Sequence, residues 1–401
     1  MQHHVNEFAQ VEPVLRIPDL KQALYDADPI FLTTAVVALH GEEHKEKRRV
    51  VQSLFTREFF RQYQNRVFPK ALEETLAPVV KAGGGDMTEF AYRVLVNLVA
   101  DVAGLDRDRT EEQTDRIQMI IGKLGKAPTI GQMLSGSRED ALNEIREALE
   151  IFKVEFYAHS AARRRELLAR KAEDPSVELP RDMLTSMLRA YDGRVEEDQL
   201  VRDTAFFILA GAFTTANALQ NTLWEILTWC RKHPETRNEL LNSPELLQKF
   251  IWESLRLHPA SPVARRKALC PVHLPDQTEV AESDQVDINI AIANRDPSVF
   301  GPDAAEFNPH RELPRRVQLH GMSFGAGMHA CVGRILAAGM PITAEGTGEE
   351  ETEYGTLYMV IHALLREGVD FHPAEVPTID ESTTRKHFHT FPFVVNGGRA
   401  A

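Results

Sequence analysis

Ten residues, FGAGMHACVG from Phe324 to Gly333, surround one of the chain's three cysteines (Cys230, Cys270, Cys331) with glycines, a histidine and an aromatic. Gly325, Gly327 and Gly333 let the backbone turn tightly and approach a flat object without Cβ collisions. The following VGRILAAGM has helix character, which places the sulfur at a helix N-terminus, where backbone N–H groups stabilise a thiolate. No Cys-x-x-Cys exists and the other two cysteines are distant in sequence, so a lone thiolate cannot complete a tetrahedral zinc site. A lone thiolate does suffice as the single axial ligand of a haem, where anionic sulfur pushes electron density onto iron. The alternative is a buried structural cysteine in a glycine-rich turn.

The spacing Phe-x-x-Gly-x-x-x-Cys-x-Gly resembles the haem-ligand signature of the cytochrome P450 family, and Phe324, Gly327, Cys331 and Gly333 fill it. The resemblance implies a mainly α haem-thiolate fold with a minor β region. It also orders other segments. Glu253 and Arg256, three apart on one helix face, and Arg311 of FNPHR resemble the family's buried triad that supports the ligand loop. Glu46 and Arg49 repeat the Glu-x-x-Arg spacing, so that tetrad alone carries nothing, and a surface ion pair is its ordinary reading. For the two haem propionates the resemblance nominates His44 and Arg48, four apart, Arg266 of RKALCPVHL, and His329. Each is otherwise a solvated charge. ILAGAFTTANALQ resembles the family's oxygen-binding helix, with Ala210, Gly211, Thr214 and Thr215 in place. Gly211 is expected to thin that helix where it crosses the haem, and Thr214 to assist proton delivery from a locally opened turn. The implied cofactor is haem b, with dioxygen as co-substrate and NAD(P)H reached through a ferredoxin and its reductase. Insertion of one oxygen atom into a small-to-medium, mostly apolar substrate is the implied reaction.

Three departures from the family pattern stand out. Phe213 occupies the position of the usual acidic residue of the oxygen segment, and phenylalanine cannot relay protons. This favours a peroxide-driven peroxygenase as a second reading; a non-catalytic haem sensor is a third. His44 comes early, so the N-terminal sheet is expected to be shortened, with PVLRIPDLKQALYDAD as its tail. An acidic insertion at about 341–354 interrupts the helix expected after the cysteine loop. It reads as a solvated surface segment. Alternatively it weakens docking of an acidic donor on a positive face offered by Lys45, Lys47, Arg49 and Arg334.

The elements that must position these groups are mostly helical. Apolar residues recur at three- and four-residue spacing over about 43–82, 88–103, 138–171 and 195–231. HPETRNELLNSPELLQKFIWESLRLHP reads as two helices, broken near Asn242-Ser243-Pro244 and stopped by Pro259. From there to about residue 320, short β-type runs alternate with Pro, Asn and Asp, suggesting hairpins. Phe206, Phe207, Phe213, Ala260–Val263, Phe391 and Phe393 are candidate pocket-lining residues or core. The 401 residues, with no repeat and no clean linker, are expected to form a single haem-thiolate domain over 1–401. A formal charge of −13 argues against a general nucleic-acid binder. Neither a signal peptide nor a membrane anchor is visible, and the scattered cysteines suit a reducing compartment. A soluble, cytoplasmic protein is the expectation.

Overall fold

The structure, a computed structural model, describes residues 1–342 and 352–396. The acidic stretch at 343–351, at the centre of the expected insertion, lies outside the described residues.

The longest helix, Glu197–Lys232, runs through the main apolar core against helix Met87–Ala103. Helix Met87–Ala103 is apolar on nearly every face, and Val94 to Ala100 are all buried. Asp86 starts it. Its carboxylate accepts the N–H groups of Thr88 at 2.7 Å and Glu89 at 3.3 Å, and also that of Phe391 at 3.0 Å. One side chain therefore caps the helix and ties it to the C-terminal strands. The helix ends at Gly104, whose φ of +91° takes the left-handed conformation.

Apolar periodicity locates the helices better than it locates their breaks. The expected helix over 43–82 is Gly41–Leu54, then Arg57–Gln62, a π-turn at Tyr63–Val67, and Phe68–Ala82. Thr56 restarts the helix by accepting the Phe59 N–H at 3.2 Å. A second π-turn, Lys153–Tyr157, lies within the expected helix at 138–171. Ser243 caps helix Pro244–Leu257, accepting from the Leu246 N–H at 3.2 Å, with Pro244 in the first turn, where its missing N–H costs nothing.

The largest sheet has four strands, in the order Gln2–Val5, Gln285–Ile288, Ala264–Ala268, Leu20–Gln22. Its first pair is parallel and the others antiparallel. N-terminal residues, expected to carry a shortened sheet, thus supply two of its four strands. Two C-terminal arrangements went unforeseen: the hairpin Thr378–Asp380 with His387–Thr390, and a sheet of Gly84–Asp86, Pro392–Val395 and Val369–Phe371. Phe391 and Phe393 are 0% and 1% exposed, packed among Phe371, Phe388, Trp224 and Phe90. They are core, so they line no pocket. Among the described residues no helix is long and apolar enough to cross a membrane.

Candidate active site

The cysteine loop owes its shape to backbone hydrogen bonds. The Cys331 N–H donates to the Phe324 carbonyl at 2.8 Å, and Ala330 N–H to Gly327 carbonyl at 3.2 Å. Gly327 has φ +67°, and a Cβ there would lie 2.6 Å from the Leu15 carbonyl oxygen. A glycine is needed at this position on both counts. The helix expected to begin at the sulfur instead begins at Arg334 and ends at Ala338. What reaches the sulfur is the Gly333 N–H. Cys331 as a residue is exposed, yet the protein packed around its sulfur pushes the thiol pKa up. The Gly333 N–H and the charges of Arg48 and Arg334 pull the other way, toward thiolate.

Behind the loop lies a buried charge network. Arg256 and Glu253 are both 0% exposed and make a two-pronged ion pair at 2.6 and 2.8 Å. Arg311 reaches the same carboxylate at 3.3 Å and Asp303 at 2.6 Å. The structure therefore brings Glu253, Arg256 and Arg311 together. From this triad the bonding continues to the loop. Asn294 donates to the Arg256 carbonyl at 2.9 Å and to Ser323 Oγ at 3.0 Å. Its own carbonyl accepts the Met322 N–H at 2.8 Å, and Ser323 Oγ donates to the Leu255 carbonyl at 2.7 Å. Met322 and Ser323 directly precede Phe324.

The four groups nominated for an anion also converge. His44 and His329 rings lie 4.6 Å apart, centroid to centroid. Both His44 nitrogens and His329 Nε2 are buried without a hydrogen-bond partner. Arg48 donates to the Ala330 carbonyl at 2.6 Å, beside the cysteine. Arg266 is 3% exposed and, among the described residues, has only Gln22 Oε1, at 2.7 Å, and the Arg265 carbonyl as partners. Burial pushes all four down in pKa: His44 to about 4, His329 to about 3, Arg266 to about 10, and Arg48 by direction. A cluster of cation-forming groups with unsatisfied donors and, among the described residues, no carboxylate is costly unless an anion completes it. The cluster fits a group bearing two carboxylates, as haem does. His40 was missed in the sequence. Its Nδ1 is also unpartnered, and its charge bears on both His44 and His329; its position four residues before His44 was the available signal.

On helix Glu197–Lys232, Phe206, Phe207, Ala210, Gly211, Phe213, Thr214 and Asn217 are only half-buried, whereas the residues flanking them are buried. That is one helix face left partly uncovered by protein. Thr214 Oγ donates to the Ala210 carbonyl at 2.7 Å within an unbroken helix, so the expected local opening is absent here. A Cβ at Gly211 would meet Val99 at 3.0 Å, so the glycine permits close packing against helix Met87–Ala103. Phe213 sets its ring 6.3 Å from that of His387 on the C-terminal hairpin. Lys47 is a further correction: 7% exposed and paired with Asp203 at 2.6 Å, it offers no charge to a docking partner.

His320 makes the site acid-sensitive. It is buried between Trp252 and Phe324, with Nε2 unpartnered, and burial lowers its pKa from 6.5 to about 4. Below pH 6.5 the unfolded chain binds a proton that the folded chain refuses, so stability present above 6.5 is lost as pH falls toward 4. Because His44 and His329 share this behaviour, His320→Phe should reduce the slope of unfolding free energy against pH in that window without abolishing it. Denaturant titrations of the haem-free chain across the window check it; an unchanged slope contradicts it.

A family model described as "Cytochrome P450" matches residues 18–340. Over 149 residues the chain is 38% identical to "Mycinamicin VIII C21 methyl hydroxylase" of Micromonospora griseorubida, covering 37% of this chain and only 36% of that relative. "Pulcherriminic acid synthase" of Bacillus subtilis (strain 168) is 26% identical over 353 residues, covering 84% and 79%. Among solved structures, "Crystal Structure of CalO2" superposes with a TM-score of 0.73 at 21% identity, covering 98% of this chain and 91% of that one. The complex of P450BioI with "hexadec-9Z-enoic acid ligated Acyl Carrier Protein" gives 0.71 at 18% identity, covering 98% and 92%.

Proposed function

Since the chain belongs to the cytochrome P450 family of oxidoreductases, we propose that it inserts one oxygen atom from dioxygen into a mostly apolar, small-to-medium organic molecule. The observation that carries this reading is the single thiol of Cys331 beside a cluster of unsatisfied donors. When bound there, haem supplies dioxygen activation and oxygen-atom transfer. The chain's residues do the rest. Cys331 gives its sulfur as the iron ligand, held in a loop that Phe324, Gly327 and Gly333 shape. His44, Arg48, Arg266 and His329 would donate to the propionates, and those anions would offset the burial that pushes all four pKa values down. Thr214 has its proton engaged with the Ala210 carbonyl and its lone pairs available, so it would assist proton delivery by accepting a hydrogen bond from a water and holding that water in place. Glu253, Arg256 and Arg311 support the loop and touch no substrate.

Electrons come from a separate ferredoxin and ferredoxin reductase fed by NAD(P)H. One observation favours a second reading. Phe213 packs against His387 where the family has a carboxylate, which removes a proton carrier and favours hydrogen peroxide as the oxidant. Turnover of one substrate with NAD(P)H, ferredoxin and reductase, compared with hydrogen peroxide alone, separates the two. Product from the electron-transfer chain supports the monooxygenase reading. Product from peroxide only overturns it in favour of a peroxygenase.

A further inference from the structure

The loop closing the C-terminal hairpin carries an arginine with almost nothing to bind. Arg385 is 7% exposed. Its Nε has no hydrogen-bond partner, and its guanidinium makes one long contact, to Ser261 Oγ at 3.4 Å. Among the described residues no carboxylate pairs with it, and burial pushes its pKa down, against which only the Tyr25 hydroxyl acts. A buried guanidinium left this way is strongly unfavourable unless a ligand meets it. Its backbone is well fixed. The Arg385 N–H donates to Thr383 Oγ1 at 3.2 Å, and its carbonyl is bonded to His387 Nδ1 at 3.1 Å.

The surroundings say what such a ligand looks like. Ser261 belongs to the half-buried segment Ala260–Val263. His387, two residues on, has its ring against Phe213 on the partly uncovered face of helix Glu197–Lys232. Along that face Phe206, Phe207, Ala210 and Phe213 present apolar surface. A cation at one end and apolar surface beyond it suit a molecule with an apolar body and an anionic head. A haem propionate has the same carboxylate chemistry, but His44, Arg48, Arg266 and His329 already give four donors for two propionates.

We propose that Arg385, assisted by Ser261, is the anchor for a substrate carboxylate, which makes the substrate class apolar carboxylic acids. The anchor holds the acid end away from the reacting end of the molecule, so it acts as a positioning and specificity residue. This rests on the haem-thiolate reading above.

The test uses the full-length haem-loaded protein, after its reduced carbon monoxide complex has shown the red-shifted Soret band of thiolate ligation. Absence of that band would defeat the family-level reading and is recorded separately. Octanoic, dodecanoic and phenylpropionic acids and their methyl esters are titrated, following the substrate-induced Soret shift. A charge-assisted, two-pronged contact predicts that at least one acid binds about tenfold or more tightly than its ester. Arg385→Gln should bring that ratio close to one, and Arg385→Lys should keep part of it. Equal affinity of acids and esters for the unaltered protein, or no response to any acid, overturns the proposal whether or not the variants fold. So does an Arg385→Gln protein with lowered haem content whose remaining haem-loaded fraction keeps the unaltered acid-to-ester ratio, which would assign the arginine to a propionate.

Discussion

Cys331→Ser should yield a protein whose reduced carbon monoxide complex lacks the red-shifted Soret band. Oxygen insertion into whichever substrate the unaltered enzyme accepts should fall by about a hundredfold or more, equivalent to about 2.7 kcal/mol of barrier. The reason lies in the donor. A thiolate is a soft anion whose formation here is aided by the Gly333 N–H, Arg48 and Arg334. A serine hydroxyl in the same place stays protonated, and its oxygen pushes far less electron density onto iron. Because serine fits the same volume, the loop should keep its hydrogen bond from residue 331 N–H to the Phe324 carbonyl. Spectra and haem content of the purified variant check the prediction. A red-shifted band in the serine variant would mean that another sulfur binds iron; Cys230 is buried and Cys270 is exposed elsewhere.

Glu253→Gln should be the most destabilising single change away from the cysteine loop. It removes the negative charge that two buried guanidinium groups share and leaves Arg256, at 0% exposure, uncompensated. Breaking a buried pair in this way costs about 3–5 kcal/mol. The damage should reach the cysteine loop through Asn294 and Ser323, which connect the triad to Met322. The expected result is a lower denaturation midpoint together with weakened haem retention. Unfolding by denaturant and haem content per chain measure both effects. A variant of wild-type stability would show that the triad has an ordinary surface-type worth. The exposed pair of Lys45 with Glu42 is the matched control, and its removal should leave both readouts unchanged.

What the sequence revealed and what it concealed divide along a physical line. The cysteine loop was legible because its glycines, of which Gly325 and Gly327 have positive φ, and its cysteine sit at fixed spacing along one continuous segment. Helix Glu197–Lys232 was legible because its apolar residues recur at helical spacing over many turns. Contacts between segments remote in sequence were hidden. Lys47 looked like a surface cation because its neighbours are charged, yet its partner Asp203 lies 156 residues on. Gly211 reads as a thinning of the helix toward a cofactor, and its close approach to Val99 on another helix does not show in the sequence. Phe391 and Phe393 look alike in sequence whether they line a pocket or fill a core; the pairing of Phe393 with Phe371 and Gly85, and the bonds of Phe391 to Asp86 and Met87, seat both in the core. Arg385 gave no signal at all, since the lack of a partner is a property of three-dimensional surroundings.

The central claim is that Cys331 is the thiolate ligand of a haem, and the carbon monoxide difference spectrum of the reduced, haem-loaded protein tests it most directly. A strongly red-shifted Soret band, lost in Cys331→Ser, is the predicted result. A haem-loaded protein whose carbon monoxide complex absorbs where nitrogen- or oxygen-ligated haems do would contradict the account.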